Sequence, residues 1–239
     1  MWKFLESENY IFHYKKESFS ESKIHEIIAY QEKCFKEICE ELDVNFDHKI
    51  EYFLCDSPEE VGEIYGDNEP CNGFASMPNR IYAVYNETIK CIGYHEDAHI
   101  ISYNTVSKPF YNFLQEGLAM YFDENWWGVQ NYQWVHYYLI NDILPSIYEI
   151  TDGGDFFKFD ESITYTFSGA FSDFLIKKFG MKKYKEFYVR SNNEFRKSFE
   201  STYNIDLNDF EKEFLDVIRN IDIEVEVYKK IKKMIKKNN

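Results

Sequence analysis

Tyr94-His95-Glu96-Asp97-Ala98-His99 is the stretch on which the reading of this chain turns, together with Gln115-Glu116-Gly117-Leu118-Ala119 further on. On a helix of 3.6 residues per turn, His95 and His99 lie about 40° apart on one face, with Glu96 about 100° round from His95. Two neutral imidazoles so placed can hold a zinc ion, a carboxylate can complete three protein ligands, and water fills the remaining position. Asp97, about 200° from His95, faces away and is not counted as a ligand.

Environment selects the third ligand. Glu116 is in line with Phe113, Gly117 and Met120 at helical spacings, so its carboxylate shares a face expected to be buried. A buried carboxylate is costly without a partner, and a metal ion supplies one. Gly117 inside a helix costs about 1 kcal/mol relative to alanine, which is explained if two helices approach closely there. Glu124, Glu87 and Asp123 are the weaker alternatives, nearer helix ends or in more polar surroundings. The bland reading of the His-Glu-x-x-His string is a solvated helix that binds no metal.

Outward from the motif, Asn9 to Lys15 and Lys49 to Cys55 read as strands. Between them Ile24, Ile27, Ile28, Phe35, Ile38 and Leu42 mark a long amphipathic helix over Ser20 to Leu42. Ser57-Pro58-Glu59-Glu60 starts a short helix that Gly66 ends. Phe74 to Met77 and Arg80 to Tyr85 read as strands, and Glu87 to Tyr103 carries the motif helix. After Pro109 the pattern becomes helical: Phe110 to Glu124, Gln130 to Ile143, Phe167 to Phe179, Met181 to Arg190, and Leu207 to Arg219 with Asp206 or Asn208 as cap. The expectation is an α+β lobe over 1–104, a helical lobe over 105–220 that carries the third ligand, and a basic C-terminal tail over 221–239.

Composition narrows the function classes. The 239 residues are 44% hydrophobic and 19% aromatic, enough for a large buried core. Five cysteines form no Cys-x-x-Cys pair and read as reduced, mostly buried thiols. No run resembles a secretory signal or approaches the ~18 apolar residues of a membrane span, so a cytoplasmic protein without a membrane partner is expected. The net charge of -15 argues against holding a nucleic-acid backbone. Residues 228–239 hold six lysines and no acid, leaving 21 basic against 42 acidic residues elsewhere, and that end reads as a frayed helix end.

The paired motifs resemble the gluzincins, the peptidase MA-like zinc metallopeptidases that include thermolysin-type enzymes; Glu-Gly-Leu-Ala resembles the third-ligand motif of their aminopeptidase-like branch. The resemblance implies a zincin-like two-lobe fold, Zn(2+) as cofactor, His95, His99 and Glu116 as its ligands, and Glu96 as the general base that activates zinc-bound water to hydrolyse peptide bonds in a peptide or protein substrate. Tyr165 to Gly180 resembles the family's aromatic, Ser-Gly-rich helix, and Phe195 to Phe214 its closing amphipathic segment. Tyr165 is the first choice for an oxyanion donor and His136 the second. Arg80 to Tyr85 resembles the family's edge strand, which implies substrate binding along Ile81, Tyr82 and Ala83. Trp126, Trp127, Tyr132 and Trp134 are candidates for a subsite wall, though aromatics at helical spacing more often form core.

This sequence departs from the family in two places. Sixteen residues separate His99 from Glu116, a short connection. No carboxylate follows Glu116 by three or four residues, where the thermolysin type has an aspartate that orients a histidine. The competing reading is a catalytically inactive metallopeptidase-like module that binds a peptide or protein. The oligomeric state is not legible.

Overall fold

A computed structural model describes residues 1–191 and 194–238, with the side chains of 237 and 238 outside the description. It is a mixed α+β protein that divides into two compact units, Met1–Ser107 and Lys108–Asn239.

The first unit is built on β1 (Trp2–Glu6), β2 (Tyr10–Lys15), α1 (Phe19–Leu42), β3 (Ile50–Cys55), α2 (Pro58–Tyr65), β4 (Gly73–Ser76), β5 (Arg80–Val84) and α3 (Tyr94–Thr105). The strands form one sheet in the order β1-β2-β3-β5-β4. β2, β3 and β5 are mutually parallel, while β1 and β4 run antiparallel at the two edges. Alternation along β2 buries Tyr10, Phe12 and Tyr14, and their rings join Tyr52 of β3 and Phe35 of α1 in the core. Ser18 caps α1 by accepting from the Glu21 amide, and Asp43 ends it in the left-handed region. α2 starts at its serine cap and stops at Gly66, whose φ of 104° suits a residue without a Cβ. α1 and α3 pack side by side, and α3 also lies against β4 and β5.

The expected edge strand is a correction. β5 lies between β3 and β4, with Ile81 and Ala83 fully buried and Tyr82 stacked between Phe53 and Phe74. The edge is β4.

The second unit contains α4 (Asn112–Asp123), the short hairpin β6 (Asn125–Trp126) and β7 (Val129–Gln130), α5 (Asn131–Ile140), α6 (Ile147–Ile150), a 3-10 turn (Phe156–Lys158), α7 (Glu161–Phe179), α8 (Met181–Arg190), α9 (Phe195–Tyr203), α10 (Leu207–Arg219) and α11 (Val225–Asn238). α7 is central and packs against α4, α5 and α8. Its buried face mixes phenylalanines with small residues, and that composition allows close crossings. A Cβ on Gly117 of α4 would stand 2.4 Å from Ser172 Oγ and 3.0 Å from the Ser168 carbonyl oxygen of α7. A Cβ on Gly169 would stand 2.6 Å from Met120 of α4 and from Asn131.

Ser172 cannot turn aside without cost, because its hydroxyl is 2.8 Å from that of Tyr184. Gly117→Ala is therefore expected to destabilise by about 1 kcal/mol net, overpacking outweighing the gain in helix propensity. A denaturant midpoint higher than wild type would contradict that crossing.

Asp152 organises the next corner. Its carboxylate accepts from the amides of Phe195 and Arg196 at the start of α9 and from the Tyr111 hydroxyl. Those hydrogen bonds hold it below the ordinary carboxylate range, against the desolvation that opposes them. Val225–Asn238, within the stretch set apart as a tail, form α11, whose Ile231 is fully buried against Val129, Trp134, Tyr137 and Tyr138.

Candidate metal centre

His95 and His99 sit in the first two turns of α3, and their rings stand 5.0 Å apart at 84°. Glu116 comes from the middle of α4. One ligand atom from each of these three residues lies within 4.8 Å of the others, a group that could hold a metal ion. His99 is buried, His95 half-buried, and the Glu116 Oε2 atom is buried. Imidazole and carboxylate donors are ligand types shared by several divalent metals, zinc among them.

Several contacts position α3. Gly93 precedes the helix with φ 134°, in the region that favours glycine. Asp97, which the helical phase turns away from the histidines, is fully buried on the opposite side. Its Oδ2 accepts from the Tyr10 hydroxyl and, at 2.9 Å, from Gln31 Nε2, which also donates to the Gly93 carbonyl oxygen at 3.1 Å. Burial pushes the Asp97 carboxyl well up, against the pull of these hydrogen bonds. Tyr94 donates to Glu37 of α1. The ring of Tyr103, one turn after His99, lies 5.3 Å from that imidazole.

Glu96 is half-buried on the same first turn as His95. Glu161, at the start of α7, was not singled out in the sequence. Its side chain is exposed, yet partial desolvation raises its carboxyl, and the negative charges of Asp160 and Glu116 raise it further. No local pattern could have shown this, since α4 and α7 meet only in the fold.

The remaining expectations separate. Tyr165 lies one turn beyond Glu161 on α7, its ring against Trp126 and Phe156. His136 is held elsewhere: its Nδ1 pairs with the Ile218 carbonyl oxygen of α10 at 2.8 Å, which makes it a packing histidine. Trp134 is core and donates to the Trp126 carbonyl oxygen, while Trp127 is exposed. Cys34 and Cys55 are buried, and burial pushes both thiols up to about 12, well away from thiolate chemistry at neutral pH. Comparisons with protein-family models and with curated proteins find no match to this chain. Among the described residues, no helix is long and apolar enough to cross a membrane.

Proposed function

We propose that this chain is a zinc-dependent peptidase of the gluzincin type with a zincin-like arrangement. The observation that carries this reading is the convergence of His95, His99 and Glu116, with Glu96 next to the first ligand. A bound zinc ion would supply Lewis acidity, lowering the pKa of a water and polarising the scissile carbonyl.

The chain's own residues do the rest. Glu96 takes a proton from the attacking water and passes it to the leaving amine, a task for a carboxylate within reach of both. Tyr165 would donate a hydrogen bond to the developing oxyanion; it lies on α7, the helix that packs against α4, which carries Glu116. An extended peptide would pair with the outer edge of β4, the sheet edge beside α3, in the position first expected for Ile81 to Ala83. Tyr10, Gln31 and Asp97 hold α3 from behind.

Metal analysis tests the ligand set. Glu116→Ala is expected to bind zinc more than ~100-fold more weakly, since groups that merely orient ligands already contribute ~10–100-fold. Wild-type affinity in this variant would remove Glu116 from the site. Stoichiometric zinc in a wild-type protein that cleaves no member of a broad peptide library would favour the inactive binding module instead.

A further inference from the structure

The outer side of α11 serves neither the metal centre nor the core. Val227, Tyr228, Ile231, Met234 and Ile235 take up its inner side against α5 and the β6–β7 hairpin. The opposite side carries Lys229, Lys230, Lys232, Lys233 and Lys236, all exposed. At 100° per residue, Val225, Lys229, Lys232, Lys233 and Lys236 fall within about 100° of one another. The one acid of the helix, Glu226, lies 2.8 Å from Lys229. Because the inner side is packed, the helix presents its lysines on one outer face.

A second feature adjoins this row. Lys230 Nζ donates to the Gly128 carbonyl oxygen at 2.9 Å, which ties α11 to the tip of the β6–β7 hairpin. Trp127 and Gly128 form that tip with φ of 51° and 71°, and Trp127 is 58% exposed. Val225, on the lysine side, is 67% exposed.

We infer that α11 and the Trp127 tip form a docking surface for an anionic lipid bilayer, bound from one side without insertion of a helix. Lysines near an anionic leaflet each add about fivefold to partitioning, and an indole is favoured where acyl chains meet headgroups. The exposed valine beside the lysines favours a bilayer, whose acyl chains take up an aliphatic side chain, over a phosphate backbone, which meets the lysines alone. The body's excess of acids, which leaves the chain at -15, turns the rest of the molecule away from such a membrane. Acids more than about 10 Å from the contact are screened at physiological salt.

Flotation of the full chain with vesicles tests the inference. Wild type is expected to float with phosphatidylcholine vesicles containing about 30% phosphatidylserine at low salt, not with phosphatidylcholine alone, and to be released near 0.5 M salt. Changing Lys229, Lys232, Lys233 and Lys236 together to Gln should lower partitioning by roughly 600-fold, with the melting temperature unchanged because these side chains are exposed. Trp127→Phe should abolish a blue shift of tryptophan emission on vesicle binding. Wild type that stays unbound at low salt, or a quadruple variant that floats like wild type, would overturn the proposal. So would lysine-dependent retention of single-stranded RNA by a protein that ignores the vesicles.

Discussion

Glu96→Gln is expected to lower peptide hydrolysis by ~10²–10⁴-fold, the usual contribution of a positioned general base, and to leave the zinc content at the wild-type level. The amide matches the carboxylate in shape but cannot accept and return a proton at neutral pH. Glu96 is half-buried, and its negative charge is one of the influences that raise the Asp97 carboxyl, so neutralising it relieves a repulsion and should not unfold α3. At 1.36 kcal/mol per tenfold, the loss corresponds to about 3–5 kcal/mol of transition-state stabilisation. The check is kcat/KM on a peptide library beside metal analysis of the same samples. Unchanged turnover with full zinc would remove Glu96 from the chemistry.

Phe171→Ala is expected to destabilise the protein by about 3–5 kcal/mol, the range for deleting a fully buried phenylalanine ring. Phe171 lies on the buried face of α7, fully inaccessible, with ring contacts to Phe113 of α4 at 5.5 Å, Phe199 of α9 at 6.4 Å, and Phe210 and Phe214 of α10 at 5.5 and 5.6 Å. Those neighbours are themselves buried and packed on one another, so little can move into the space left behind. Urea unfolding should show a lower midpoint with an unchanged slope. Phe110→Ala is the control, since that ring is 65% exposed and should change stability by less than ~0.5 kcal/mol. A loss below about 1 kcal/mol for Phe171→Ala would mean that the aromatic cluster does not hold this unit together.

Local signals were legible where one helix face or one cap decides the outcome. Met181–Arg190 and Leu207–Arg219 have the bounds read from their periodicity, with Asp206 as the cap of the latter. Ser57 and Gly66 bound α2 as their chemistry dictates. The close helix crossing inferred from Gly117 is present, and the phase of Asp97 on α3 is as read.

What escaped the sequence is nonlocal or too short to be periodic. β1 is mostly exposed and belongs to the sheet only through pairing with β2, so alternation gives no sign of it. The two-residue strands of the β6–β7 hairpin cannot show alternation at all. Which of β4 and β5 forms the edge depends on strand order, and β5 was misplaced for that reason. The lysines of α11 hid an apolar face at helical spacing that needed α5 as its partner. The partners of Asp97 and the approach of Glu161 to Glu116 arise from segments far apart in the chain.

The most direct test of the account is the zinc stoichiometry of wild-type protein, stripped with chelator and titrated with Zn(2+) beside a His95→Ala/His99→Ala variant. Wild type is expected to hold one tightly bound zinc per chain and to melt at a higher temperature with zinc, and the variant to show neither effect. A wild-type protein that takes up no zinc and melts at the same temperature with or without it would contradict the metal centre and everything built on it.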